Sequence, residues 1–185
     1  DPSLGRQASI FCPAEDIIIP YGASSSMTSE RVTHVMRKTE NEVRKLQVSG
    51  FYRDVDLGTP LSTTTDIEKY KAKDQGYSLT EDDRYQFLEI HVDYDLPGYE
   101  DDDGIARPYI ITIDAFSEKV LAIYRNWDEQ DPTQQKLDWL VEWKFIPWRG
   151  AYAIGLPHLI GGLSGAATGA LRALLDSAHI ANAPT

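Results

Sequence analysis

The middle of the chain alternates between apolar and polar side chains with the two-residue period of a β-strand. Over residues 84–94, Leu88 and Ile90 fall on one face of such a strand, and Phe87 and His91 fall on the other. Three more strands are predicted by similar patterning and by β-branched and aromatic residues, over residues 109–115, 120–127 and 139–146. Because only four residues separate the second and third strands, a hairpin turn joins them, and the four strands predict an antiparallel meander.

Two short helices are predicted upstream of the meander, each with a recognisable start. Thr39 followed by Glu42 is a capping box, in which the hydroxyl and the carboxylate each accept a hydrogen from an otherwise free amide, so a helix is predicted over about residues 40–49. A second N-cap within residues 62–65 precedes a helical segment that ends at Gly76. Brief strands are also predicted over residues 17–19 and 31–37.

The end of the chain predicts a helix. Apolar residues recur there at helical spacing, at Leu156, Ile160, Leu163, Ala167, Ala170, Leu174 and Ala178. Gly161, Gly165 and Gly169 lie four residues apart on another face, and each helical glycine costs about 1 kcal/mol relative to alanine. Such a face is typical of a helix that lets another backbone approach closely. The alternative is a break at Gly161–Gly162, which would leave a helix over about residues 164–180.

These elements predict an α+β fold: an antiparallel β meander with short flanking helices and a C-terminal α-helix. The last segment is long enough to span a membrane, but it is rich in glycine and serine and carries His158 and Arg172, so no membrane association is predicted. Residues 1–150 are expected to form the α+β domain, and residues 151–185 the glycine- and alanine-rich helix.

Charge is concentrated in the predicted meander. The whole chain has 18 basic and 29 acidic residues, for a net charge of -11, and residues 81–150 alone hold seventeen acidic and seven basic residues, for a net of -10. This balance excludes a broad basic surface that captures nucleic acid by counterion release. The single cysteine, Cys12, excludes an internal disulfide and a multi-cysteine zinc site.

One set of residues could carry enzymatic chemistry. Asp114 on one predicted strand, with Glu142 and Lys144 on another, resembles the arrangement of divalent-metal nucleases, where two carboxylates bind the metal and the lysine orients a water. The alternative is that these residues form ion pairs on an exposed sheet face. The segment 93–104 fails as an EF-hand loop, because its fifth position is proline and its twelfth is glycine. No catalytic residue, cofactor or metal is therefore predicted, and the nuclease stays an alternative hypothesis.

Aromatic residues are frequent late in the chain. They are Trp127, Trp139, Trp143, Phe145 and Trp148. Stacking on the bases of single-stranded nucleic acid would need lysine or arginine interleaved with them, and little is present. Packing in a core or an interface is the better interpretation of these side chains.

Several segments resemble the portal, or head-to-tail connector, proteins of tailed double-stranded DNA bacteriophages, in the branch of short-tailed phages and related prophages. They are residues 13–21, 31–34, 41–45, 49–52, 152–163 and 166–172. The similarity is strongest in Tyr152-Ala153-Ile154-Gly155-Leu156-Pro157-His158-Leu159-Ile160-Gly161-Gly162-Leu163. These blocks are spread over most of the chain, and their number and order carry the resemblance, since none is a catalytic signature.

The resemblance implies a non-enzymatic structural subunit of a dodecameric ring at one capsid vertex. DNA would pass through the ring during packaging and ejection, without sequence-specific binding. The ring would contact the capsid protein and dock the terminase motor, then tail or adaptor proteins. Such a protein belongs to the virion and, during assembly, to the host cytoplasm. A full portal subunit is much longer, so the chain is expected to be a fragment of one.

The same resemblance places residues 1–150 in the wing of the portal subunit and directs residues 151–185 towards its stem. A ring subunit needs contact surfaces for its neighbours. Gly161, Gly165 and Gly169, with Arg172, are the candidate subunit interface. The acidic balance is compatible with a conduit in which DNA must slide, because strong phosphate capture would hinder it.

Overall fold

One antiparallel sheet organises most of the chain before residue 126. The computed structural model describes residues 9–62, 64–79, 83–100 and 102–182. The sheet contains β1 (Ile17–Ile18), β2 (Arg31–Lys38), β3 (Leu61–Ser62), β4 (Asp83–Tyr94), β5 (Arg107–Asp114) and β6 (Val120–Arg125). The strand order is β1-β2-β4-β5-β6, and β3 pairs with the start of β4. With three helices added, this architecture confirms the predicted α+β class.

The central strand β4 sets the register of the sheet. Glu89 on β4 lies opposite His34 on β2 and opposite Thr112 on β5. Since side chains alternate along a strand, Phe87, Glu89 and His91 share one face, and that face is the side on which the main core forms.

The predicted capping box at Thr39 and the predicted second N-cap are both confirmed, and the second N-cap also forms a capping box. Helix α1 (Glu40–Val48) begins after Thr39, whose N–H donates to Glu42 Oε2 at 2.8 Å, while the Glu42 N–H donates back to Thr39 Oγ1 at 3.4 Å. Helix α2 (Asp66–Asp74) begins after Thr65 with the same reciprocal pair, formed with Glu68. Of the four candidate residues for the second cap, Thr65 is therefore the one used.

The main core lies between the sheet, α1 and the segment that follows α1. Its buried residues are Val43, Tyr52, Tyr85, Phe87, Leu121 and Ala122. Tyr52 packs edge-on against Phe87 with ring centroids 5.8 Å apart. The Arg53 N–H donates to the Leu121 carbonyl at 2.8 Å, which attaches the segment after α1 to β6. Helix α1 is thus held on the sheet by its own buried Val43 and by the segment that follows it.

A β-bulge places two consecutive residues of β6 in the core. The register between β5 and β6 shifts between Thr112, which pairs with Ala122, and Ile113, which pairs with Val120. Leu121 is the extra residue, and both Leu121 and Ala122 are buried. Such a bulge interrupts the strict alternation of a strand, so simple periodicity could not predict it.

The predicted fourth strand of the meander is wrong. Residues 139–145 join no strand ladder, and only β7 (Ile146–Pro147) pairs, with β8 (Ala153–Ile154). After β6 the chain leaves the sheet edge: the Leu137 N–H donates to the Asn126 carbonyl at 2.9 Å, and Lys136 Nζ donates to the Met27 carbonyl at 3.0 Å. The following segment is therefore carried towards residues 24–29 and does not return along β6.

The predicted C-terminal helix is confirmed as α3 (Leu156–Ala181), 26 residues long. It is continuous through Gly161 and Gly162, so the alternative of a break at these glycines is wrong. Pro157 in the first turn suits a helix start, because its missing N–H would have no intrahelical partner there.

The bulge generates a stability prediction. We expect Leu121→Ala to lower the free energy of unfolding by about 3 kcal/mol, because it removes a fully buried side chain and leaves a cavity. Ile123→Ala, on the same strand but at an exposed position, should cost less than about 1 kcal/mol. Urea unfolding followed by tryptophan fluorescence measures both. Equal losses for the two variants would contradict the placement of the bulge.

Candidate subunit interface

Helix α3 is an apolar helix in contact with solvent. Each of its residues is exposed. The exposed large aliphatic residues are Leu156, Leu159, Ile160, Leu163, Leu171, Leu174, Leu175 and Ile180. At 3.6 residues per turn, Leu156, Leu163 and Leu174 fall on one side, which we call the leucine face. Within the described residues, no helix is both long enough and apolar enough to cross a membrane. The leucine face is therefore an apolar surface that the described part of the chain leaves uncovered.

The opposite side of α3 is the glycine face, formed by the predicted interface residues Gly161, Gly165, Gly169 and Arg172. A Cβ atom added at any of the three glycines would meet no other part of the described chain within 4 Å. The three glycines also have ordinary helical backbone angles, with no positive φ. Neither strain nor packing inside this chain therefore requires glycine at these positions. A close approach from another molecule is the remaining structural use for the missing side chains.

A second exposed apolar surface lies on the segment that was predicted to be the fourth strand. Trp139, Val141, Trp143 and Phe145 are largely exposed, and we call them the outward row. Trp139 lies at its inner end, because its indole N–H donates to the buried Asn126 Oδ1 at 2.8 Å. The residues between them are partly buried, so burial alternates with a period of two although the segment joins no ladder. The outer side of this segment is thus apolar, and its inner side carries Leu140 and the charged pair Glu142 and Lys144.

Polar anchors hold the outward row in this orientation. Glu142 accepts hydrogen bonds from the Ser25 hydroxyl and from the Ser26 N–H, the latter at 3.3 Å. Lys144 Nζ donates to the Ser24 carbonyl at 2.9 Å and lies 3.4 Å from Glu142 Oε1. Burial alone would raise the pKa of Glu142, but these hydrogen bonds and the charge of Lys144 together hold it below its usual value. Glu142 is therefore ionised at neutral pH and pairs with Lys144.

The nuclease candidates serve as local structural anchors. Asp114 is buried at the end of β5 and accepts from the Ser117 N–H and from its hydroxyl, both at 2.7 Å, which closes the β5–β6 turn. Among the residues that the structure describes, Asp114 and Glu142 share no hydrogen-bond partner. Neither of two surface clefts, of about 350 and 420 Å³, is lined by Asp114, Glu142 or Lys144. Across the described ranges, no group of three or more His, Cys, Asp or Glu residues could hold a metal ion. The geometry gives the nuclease hypothesis no support.

A partly buried ionisable cluster forms where β2 meets β4. Glu89 Oε1 lies 3.2 Å from His91 Nε2 and 3.9 Å from His34 Nδ1. The interactions with His34 and His91 lower the pKa of Glu89 to about 2. Burial raises the pKa of the nearby Cys12 thiol, and the negative charge of Glu89 raises it further, so the thiol is protonated and a weak nucleophile. Sequence reasoning missed this cluster, because only the pairing register brings His34 opposite Glu89.

Comparison of the chain with family models, with curated proteins and with solved structures finds no match. Helix α3 and the outward row are the two exposed apolar surfaces described above. Both are candidates for contact with another macromolecule.

The cluster around Glu89 predicts acid-dependent stability. Since its pKa is lowered in the folded state, Glu89 stabilises the fold above about pH 4.5, and this contribution is lost as the pH falls towards about 2. We expect Glu89→Gln to be less stable than the parent chain by about 2 kcal/mol at pH 7, with the difference shrinking through this window. Unfolding free energies measured from pH 7 to pH 2.5 test this. Glu129→Gln, at an exposed position, is the control, and equal pH slopes for the parent and Glu89→Gln would refute the assignment.

Proposed function

We propose that the chain is a structural, non-enzymatic subunit of a phage portal ring, through which double-stranded DNA is packaged and ejected. The observation that carries the proposal is α3, a 26-residue apolar helix with every residue exposed to solvent. A surface helix of an isolated protein normally buries an apolar stripe against its own domain. A helix without such cover is suited to contact with other subunits.

The energetics favour association. Burying one leucine or isoleucine side chain contributes about 1.5–3 kcal/mol, so the eight exposed aliphatic residues of α3 offer on the order of 10 kcal/mol before the costs of association. The glycine face adds a site where a second backbone can approach closely. Together, the two faces give α3 a contact surface on each side, as a subunit with two neighbours in a ring requires.

The charge distribution also supports this function. The chain has a net charge of -11, and the loop after β4 exposes Glu100, Asp102 and Asp103. An acidic subunit does not capture DNA phosphates strongly, which suits a conduit that DNA must traverse. In this proposal the ring sits at a capsid vertex of the virion, assembles in the bacterial cytoplasm, and contacts the capsid protein, the terminase motor and tail or adaptor proteins.

Self-association of the 185-residue chain is the first test. We expect mass measured by light scattering to rise with protein concentration, and electron microscopy of the associated fraction to show rings with a central hole. A chain that ends at residue 155 is the matched control, because α3 buries no residue against the described sheet domain and its removal should leave that domain folded. A strict monomer at high concentration would count against the proposal.

The glycine face generates a second test. We expect Gly165→Leu to weaken self-association about 10-fold, because the new side chain fills the space needed for close approach. The substitution also raises helix propensity, so a loss of association cannot be attributed to unfolding of α3. Ser164→Leu adds the same side chain outside the glycine face and is the control. Sedimentation equilibrium measures both variants, and unchanged association of Gly165→Leu would remove the glycine face from the interface.

A further inference from the structure

The outward row is an apolar surface that the fold of its own chain does not cover. The exposed fractions are 60% for Trp139, 77% for Val141, 95% for Trp143 and 64% for Phe145. Because Glu142 and Lys144 are bound to residues 24–26 on the inner side, the segment cannot turn over to bury its aromatic side chains without breaking those bonds. The exposure is therefore built into the folded chain.

We propose that the outward row is the docking site for α3 of a second copy of this chain, with the leucine face of the incoming helix lying along the row. This inference rests on the proposed ring and specifies its contact. Within one chain the outward row and the leucine face are both exposed, so neither buries the other. Along the chain, the β7–β8 hairpin lies between the row and α3.

The two surfaces are comparable in length. An extended segment from Trp139 to Phe145 spans about 20 Å. At 1.5 Å per residue, the leucine face from Leu156 to Leu174 spans about 27 Å, so the row can cover most of it. The side chains of the row repeat every second residue, so the row provides a line of large apolar groups along which one helix face can lie.

Charge favours a second copy of α3 over other parts of this acidic chain. The only Lys, Arg, Asp or Glu residues in α3 are Arg172 and Asp176, and helical periodicity places both on the side of the glycine face. Beside the row, Glu142 and Lys144 neutralise each other. Docking the leucine face on the row would therefore bring no charged residue of α3 into the contact, whereas most other contacts between two chains of net charge -11 would be repulsive.

The exposed area of the outward row is large enough to form the centre of an interface. Aromatic side chains bury about 150–250 Å² each, so the row exposes on the order of 500 Å². A standard protein interface buries about 800 Å² per partner, with its affinity concentrated in a few central residues that are often tryptophan. Contact of one surface with a different surface on the next copy is heterologous, and such contacts generate rings when the rotation closes.

Cysteine cross-linking tests the pairing directly. Cys12 is the only cysteine, so Cys12→Ser gives a cysteine-free background. One population then carries Val141→Cys in the row, and a second, affinity-tagged population carries Leu163→Cys in the leucine face. We expect mild oxidation of the mixture to give mainly the mixed disulfide, identified by mass. Replacing the first population with Lys45→Cys, on the exposed surface of α1, should abolish it.

Other cross-linking outcomes would overturn the inference. A dominant disulfide between two Leu163→Cys chains would mean that α3 pairs with α3, and one between two Val141→Cys chains would mean that the rows pair. If light scattering shows association but no mixed disulfide forms, the contact proposed here is wrong and the ring proposal stands. If the chain does not associate at all, both proposals fail.

A matched pair of truncations tests the energetics. Val141 in the row and Val48 in α1 are almost equally exposed, at 77% and 75%. We expect Val141→Ala to weaken self-association and Val48→Ala to leave it unchanged. Trp143→Ala should weaken it about 30-fold, which corresponds to about 2 kcal/mol. All three positions are exposed in the single chain, so circular dichroism should show an unchanged fold. Equal association of the parent, Val141→Ala and Trp143→Ala would overturn the inference.

Discussion

The packing of Phe87 under Tyr52 is the interaction on which the rest of the structure depends. Phe87 is fully buried at the centre of the core, on the strand that pairs with β2, β3 and β5. A slip of one residue in β4 would move Phe87 to the other face of the sheet and expose the core. The register that this burial fixes also places His34 opposite Glu89 and Asp114 at the turn after β5. The core therefore determines the polar interactions as well as the apolar ones.

Local sequence signals predicted those elements whose stabilising groups are close in sequence. Each helix start involves two residues three apart: the box at Thr39 forms as predicted, and the second predicted N-cap is Thr65. The first three meander strands were predicted because β4, β5 and β6 lie next to one another along the chain and in the sheet. The prediction of a fourth strand failed for a physical reason, since alternation gives the period of a segment and not which of its faces packs on the protein. In residues 139–145 the inner face is the one that carries Glu142 and Lys144, because both bind a loop more than a hundred residues away.

The candidate interface was partly predictable because some of its residues are close together in sequence. The spacing of Gly161, Gly165 and Gly169 is a local signal, and the helix that presents them exists. The outward row and the cluster around Glu89 depend on contacts between distant segments, which no single window of sequence contains. The bulge at Leu121 is similar, because its burial requires both α1 and the segment after it to cover β6.

The stability of the sheet domain and the capacity for assembly reside in different parts of the chain. The core is formed by β4, β6, α1 and the segment after α1, whereas α3 and the outward row bury little against it. The domain can therefore fold before any contact between copies exists, and assembly then depends on concentration and on the match between two preformed surfaces. Because the proposed contact joins unlike surfaces, each added subunit would leave one free row and one free helix until the ring closed. Closure would bury both of these surfaces, so a closed ring would expose less apolar surface per subunit than any open chain of the same subunits.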